Sequence, residues 1–319
     1  MIFIVIAAAI AVILCAVAFV NRRLSAKALA ALEVPGKLIK AENGSVIHAY
    51  VEGEGKYTLV MLSGWGTACP YADFKPFADM MSKHCRVMIL ELPGYGFAKD
   101  TDAPRNLENY DIEISAALNY FGIKENVILM PHSYSGIATF DYSKKHPDVV
   151  CALFNDDCSV PPYYYYLHIA KPASFTARVE CFLARNFGRT LLAGVVKKIT
   201  AGEIQEPYRD MYTTFSQARL GNRTVMAESD HFDDVIRPTL WEKYDEDLHV
   251  VSLIAPDKKD FDPKFLKTIG MTWLEMHEIM VSNPKIQRCV VIEGSNHYIH
   301  QSHAAEMEKL AVELLEELG

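Results

Sequence analysis

Basic residues are the minority charge in this sequence: 32 Lys and Arg face 40 Asp and Glu, a formal net charge of −8. A protein that grips nucleic acid through its phosphates shows the opposite imbalance, so no nucleic-acid partner is expected. Cysteine is sparse and unpatterned. None of the seven forms a C-x-x-C pair, and Cys15 lies in an apolar run away from the other six. A chain of 319 residues buries enough surface to fold without disulfides, so reduced core cysteines are expected. The sequence also lacks G-x-G-x-x-G and the phosphate-loop lysine, so no nucleotide cofactor is expected. His297, His300 and His303 recur at a spacing of three, but no Cys, Asp or Glu spacing completes a zinc motif. No metal is therefore expected. Repeats and low-complexity segments are absent.

Charge is missing altogether from the first 20 residues. Met1 through Val20 are all hydrophobic, and the first charged side chains are Arg22, Arg23 and Lys27. As a helix, residues 2–20 span about 28 Å, close to the ~30 Å hydrocarbon core of a bilayer. Basic residues after the run, with none before it, point to a single-pass anchor over residues 1–22. Residues 2–20 would then meet the lipid bilayer of the cell membrane, with the body on the cytoplasmic side. The competing reading is a cleaved signal peptide exiting at Ala28-Leu-Ala30, but it lacks a basic leader and its apolar run exceeds the usual ~7–15 residues. Asn43-Gly-Ser45 and Asn222-Arg-Thr224 fit the glycosylation pattern and would go unused in that orientation.

Behind the anchor, short apolar runs alternate with helical patterns. Residues 37–42 and 45–52 read as two strands joined by Asn43-Gly44, a strong hairpin signal. Further strands are expected at 57–62, 86–92, 126–130, 149–154, 249–255 and 289–293. Helices are expected at 73–84, 107–121, 136–145, 272–281 and 302–318. This alternation predicts an α/β fold: a mostly parallel sheet with helices on both faces and an antiparallel hairpin at one edge. From Val160 to Asp247 helical patterns continue without an apolar strand. Residues 160–247 are therefore expected to form a helical insertion between two parts of a core, 36–159 and 248–319. Tyr163–Tyr166, near its start, either line an apolar pocket or pack the insertion on the core.

The chemistry is concentrated in Val127-Ile-Leu-Met-Pro-His-Ser-Tyr-Ser-Gly136. An apolar strand runs into a serine, and a helix follows at once. That is the setting of a nucleophile elbow, in which a sharp turn lifts a serine hydroxyl above the sheet. Pro131 and Ser135 stand where glycines are usual, and a serine capping the next helix is the bland alternative. Pro131 is tolerable if its fixed φ suits the strand end and its missing N–H had no partner. Leu62-Ser-Gly-Trp-Gly66 follows the neighbouring strand, where a glycine-flanked backbone can turn an N–H toward an oxyanion. The backbone amides of Trp65 and Tyr134 are the expected donors. Glu293-Gly-Ser-Asn-His-Tyr-Ile-His300 places His297 in a loop before the last helix, where it can serve as general base to Ser133. His132 is expected to pack or hydrogen-bond beside the elbow.

In this order the motifs resemble the α/β-hydrolase superfamily, over roughly Leu38 to Leu318. The resemblance implies a Ser–acid–His triad, and Glu91-Leu-Pro-Gly-Tyr-Gly96 looks like the family's turn after its fourth strand, with Glu91 where Asp is commoner. It also implies that the insertion is a helical cap. The acid is expected at Asp257, with Asp260 as an alternative in the same loop and Asp157, in Asn155-Asp-Asp-Cys158, as an alternative one strand earlier. The expected function is a membrane-anchored serine hydrolase that cleaves an ester or related acyl bond of a small-molecule, lipid-like substrate through an acyl-enzyme. An acyltransferase of the same fold and an inactive hydrolase-fold binding module are the alternatives. Epoxide hydrolases and dehalogenases of this fold need a carboxylate nucleophile, which Ser133 does not supply.

Overall fold

The computed structural model describes residues 2–162, 173–200, 204–240, 242–256 and 271–319. Its centre is an eight-stranded sheet: β1 (Lys37–Lys40), β2 (Val46–Glu52), β3 (Thr58–Leu62), β4 (Arg86–Glu91), β5 (Val127–Pro131), β6 (Val150–Asp156), β7 (His249–Ile254) and β8 (Gln287–Val291). Their spatial order is β1-β2-β4-β3-β5-β6-β7-β8. Only the pairings β1–β2 and β2–β4 are antiparallel. Lys40 pairs with Val46 across Asn43-Gly44, and Gly44 takes the positive φ of 83° that such a turn requires.

Strand β3 shows why the runs are apolar throughout. Val60 and Leu62 point into one hydrophobic cluster with Ile114 and Ile137; Leu59 and Met61 point into the other with Phe74 and Phe77. Both faces are covered, so alternation with polar residues is lost. The first cluster is roofed by α3 (Leu107–Tyr120) and α4 (Ser135–Lys145), the second by α2 (Pro70–Met81) and α12 (Ala304–Leu318). Helix α2 begins three residues before the expected start because Pro70 occupies its first turn, where a missing N–H costs nothing. Strand β8 starts at Gln287, earlier than expected, because its ladder with β7 begins at Val250↔Gln287. Two short helices, α10 (Trp273–Glu278) and α11 (Ile299–Ser302), flank that last strand.

Between β6 and β7 the described residues form helices and no strand: α5 (Phe175–Phe187), α6 (Ala193–Thr200), α7 (Arg209–Arg219), α8 (Arg223–Asp230), α9 (Phe232–Ile236) and a 3₁₀ turn, Arg237–Thr239. Tyr163–Tyr166 lie outside the described residues. Buried polar side chains join this insert to the sheet. Asn222 caps α8 by accepting from the amides of Thr224 and Val225, and its Nδ2 donates to Gly94 O at 2.6 Å. The Asn-Arg-Thr sequence is therefore a buried helix cap. Arg105 holds Glu113 through two bonds of 2.8 and 2.9 Å, and its Nε lies 3.5 Å from Glu228. Glu228 also accepts from the hydroxyls of Tyr95 and Tyr110. Burial raises the Glu228 pKa despite the opposing pull of Arg105 and the two tyrosines.

Helix α1 (Ile2–Ala30) is continuous, and no residue of its most apolar stretch, with a mean hydropathy of 3.2, is buried. It is long and apolar enough to cross a membrane. Beyond Val20 it docks on the insert: Asn21 and Ser25 are buried, and α1 packs against α5 and α7.

Candidate active site

The elbow forms at the end of β5. Ser133 has φ 53°, a left-handed conformation that a non-glycine residue adopts at a cost of order 1–3 kcal/mol and that recurs at functional turns. Neighbouring backbone presses in on it. A Cβ at Gly64 would lie 2.7 Å from Ser133 Cβ, and one at Gly136 would lie 2.4 Å from Ser159 O. Both positions are held to glycine by close approach. The Ser133 carbonyl accepts from the amides of Ser159 (2.7 Å) and Gly136 (3.1 Å).

The two departures from the usual flanks have a local explanation. Pro131 is the last residue of β5 and pairs with Leu62; the next bond is made by His132 N–H to Leu62 O at 2.9 Å. Ser135 Oγ accepts from His132 N–H at 3.1 Å and lies within hydrogen-bond reach of Leu62 O and His132 O. Its hydroxyl therefore bridges the elbow to β3, which a glycine would not do.

The loop after β3 passes beside this turn through Gly64, and Trp65 and Tyr134 follow Gly64 and Ser133 along the chain. Phe232 of the insert packs on both side chains, with ring centroids 5.8 Å from Trp65 and 4.5 Å from Tyr134. Trp65 Nε1 also donates to Val225 O at 3.0 Å.

His297 Nδ1 lies 2.7 Å from Asp157 Oδ2. Asp157 is fully buried and itself strained, with φ 41°. Its Oδ1 accepts from Ala255 N–H (3.0 Å) and Trp273 Nε1 (2.9 Å). A carboxylate so placed draws the imidazole proton onto Nδ1 and leaves Nε2 as an acceptor. The acid expected at Asp257, or at Asp260, falls outside the described residues. The carboxylate that meets His297 is the alternative one strand earlier, at the end of β6. Trp273, which holds that carboxylate, carried no signal in the sequence.

Behind this pair sits a second, buried set. His300 Nε2 lies 3.0 Å from Asp73 Oδ1, and its Nδ1 contacts Asp156 Oδ2 at 2.5 Å. Burial alone would discharge His300, but the two carboxylates outweigh it and raise its pKa to about 10. Asp73 is pulled down against its own burial by His300. His132 goes the other way: burial first, then electrostatic repulsion from the His297 ring, lower it to about 4. It stays neutral and pairs through Nε2 with His297 O at 2.9 Å. His132 thus supports the loop that carries His297. The ligand atoms of His132, Asp156 and His300 lie within 4.8 Å of one another, as a metal site would require. A protonated His300 engaged at both nitrogens has no lone pair to give.

Glu91 occupies the position after β4 with its carboxylate buried. It accepts from the amides of Tyr71 (2.9 Å) and Phe97 (2.7 Å), and His48 Nδ1 lies 2.8 Å away. Its longer side chain fills the space beside Gly96, where a Cβ would sit 1.9 Å from Glu91 Oε1.

Comparison with known proteins agrees with this architecture. The model of the Alpha/beta hydrolase family matches residues 59–310. An uncharacterized protein of Bacillus subtilis, YbdG, is 31% identical over 138 residues, which are 43% of this chain and 42% of that protein. The chain thus spans less than half the length of that curated relative. Among solved structures, the epoxide hydrolase CorEH superposes with a TM-score of 0.64 at 13% identity, covering 90% of this chain and all of the other. The esterase RhEst1 from Rhodococcus gives 0.64 at 18% identity, covering 89% and 100%. At such identities the likeness carries the fold alone.

Proposed function

The chain belongs to the alpha/beta hydrolase family, and on that premise we propose that it is a membrane-anchored serine hydrolase acting on an ester or related acyl bond of an apolar substrate. Asp157 holds His297 with its proton on Nδ1, and Nε2 takes the proton of Ser133 as the serine oxygen attacks the acyl carbon. The backbone amides of Trp65 and Tyr134 stabilise the oxyanion that develops. His297 then returns the proton to the departing alcohol, leaving an acyl-serine. Water deprotonated by His297 cleaves that intermediate and restores the enzyme.

The observation that carries this reading is the 2.7 Å contact between Asp157 and His297, made by a carboxylate whose other oxygen is fixed by two donors, with His297 in a loop tied through His132 to the left-handed turn at Ser133. The epoxide hydrolase likeness does not extend to chemistry, because position 133 offers a hydroxyl and no carboxylate. The apolar length of α1 supports anchoring, and Arg22, Arg23 and Lys27 after it support a cytoplasmic body.

Treatment of the full chain and its Ser133→Ala variant with a fluorophosphonate probe tests the nucleophile. Labelling of the wild type alone is expected. If neither protein labels, or both label alike, the serine mechanism is wrong. Chromogenic esters of increasing chain length then define the acyl group.

A further inference from the structure

The end of the membrane helix forms a groove that the hydrolase chemistry does not use. Asn21, the first residue after the apolar run, is buried: its Nδ2 donates to Arg185 O at 2.8 Å and its Oδ1 accepts from Arg189 N–H at 2.8 Å. Arg22 Nε donates to Asn186 Oδ1 at 2.9 Å. These bonds fix the C-terminal end of α5 at the level where the apolar run stops. Between α1, α5 and α7 lies a groove of about 330 Å³, lined by Arg22, Ser25, Leu29, Phe182, Arg185 and Ala218 among others. Among the described residues, no acidic side chain lines it.

Two donors in this groove are buried without a partner. Ser25 is only 5% exposed and its Oγ makes no hydrogen bond among the described residues; Arg185 is half-buried, and its Nε is buried and likewise without a bond there. Buried polar groups are normally satisfied, so an unmet hydroxyl and an unmet guanidinium N–H on two residues that line one groove point to an acceptor that enters it. Two guanidiniums and a hydroxyl match an acceptor-only anion, and the fork of an arginine fits phosphate oxygens in particular. The groove also has an apolar side, from Leu29 and Phe182, which a free inorganic ion would leave unused.

The surroundings identify the source of the phosphate. Phe175, Val179, Phe182 and Leu183 lie at helical spacing along one exposed face of α5, and Phe175 is 82% exposed. Leu191 and Val195, at 65% and 53% exposure, follow along the chain just after the residues that bond to Asn21. An apolar surface beside the end of a membrane span is continuous with the span itself, and the leaflet that receives α1 covers both.

We propose that the groove between α1, α5 and α7 binds the phosphate of a membrane phospholipid through Arg22, Ser25 and Arg185, with the exposed face of α5 lying on the same leaflet. This rests on α1 being a membrane anchor. Native mass spectrometry of the full chain in detergent micelles, titrated with palmitoyl-oleoyl phosphatidylglycerol, tests it. One lipid that survives activation is expected. Affinity should fall about tenfold or more in an Arg22→Gln, Arg185→Gln double variant, as for the loss of charge-assisted bonds. Ser25→Ala should weaken it less, and thermal unfolding of the variants should stay cooperative. Equal lipid retention in wild type and double variant overturns the site. So does displacement of the lipid by millimolar inorganic phosphate, which would make the ligand a free anion. A carbonate wash of membranes separates the premises: release of the chain overturns the anchor and the site together, whereas retention with unchanged lipid binding overturns the site alone.

Discussion

Asp157→Asn separates the proton placement of the triad from its shape. Asp157 Oδ1 accepts from Ala255 N–H and Trp273 Nε1, while Oδ2 faces His297 Nδ1 at 2.7 Å. An asparagine keeps the first two bonds only if its amide oxygen takes the Oδ1 position. Its NH₂ group then points at His297 Nδ1. A donor there forces the imidazole proton onto Nε2, the nitrogen that has to accept from Ser133. The opposite flip sets an NH₂ against two buried donors and leaves both unmet, at about 1–3 kcal/mol each. The first orientation therefore prevails, and the base is lost while packing is kept. Inversion of this tautomer in a serine–histidine–aspartate triad lowers kcat about 10⁴-fold, equivalent to about 5.5 kcal/mol. The assay is kcat/KM on a chromogenic ester, with the rate of fluorophosphonate labelling as a second readout. Asp257→Asn and Asp260→Asn, measured in parallel, should stay close to wild type. The reasoning is refuted if Asp157→Asn remains within about tenfold of wild type, or if Asp257→Asn causes the larger loss.

Two further outcomes follow from the same neighbourhood. Gly64→Ala puts a methyl 2.7 Å from Ser133 Cβ and 3.1 Å from His132 Nδ1, so the elbow has to shift; a loss of about 10²-fold or more in kcat/KM is expected, with retained folding read by circular dichroism. Thermal stability should peak near pH 6.5. His300 is raised from an ordinary value of 6.5 to about 10, so its contribution is complete below pH 6.5 and lost as the pH rises toward 10. His132 is lowered from 6.5 to about 4, so its contribution is complete above pH 6.5 and lost as the pH falls toward 4. Unfolding temperatures measured across this range should show a flatter alkaline limb in His300→Gln and a flatter acid limb in His132→Gln; unchanged limbs contradict the assignment.

The core elements were legible in the sequence because each leaves a local mark. The Asn43-Gly44 hairpin, the apolar run into Ser133 and the glycines at 64 and 136 are contiguous patterns, and the structure places them at the sheet edge and the elbow. What could not be read is what arises only between distant segments. Asp157 and Asp257 look alike in one dimension; the choice depends on Trp273 and Ala255 donating to one of them. The Asp73–His300–Asp156 set joins residues 73, 156 and 300 and has no sequence spacing to betray it. Helix ends drifted for a related reason. Pro70 starts α2 early because of its own backbone, but the start of β8 is set by its neighbour β7.

Glu228 gives the insert a property that outlasts any particular substrate. Lifting α8 off the sheet would part this carboxylate from Tyr95, Tyr110 and Arg105, and would break the bond from Asn222 to Gly94. Each of these buried hydrogen bonds is worth about 0.5–1.5 kcal/mol net, and those to a charged group about 1.5–3, before the lost packing of Phe232 on Trp65 and Tyr134 is counted. This side of the insert therefore acts as a fixed abutment over the elbow that carries Ser133. The clearance between roof and sheet there is set when the protein folds, so any ligand entering along that wall meets a boundary fixed in size and shape, as in a gauge of constant width.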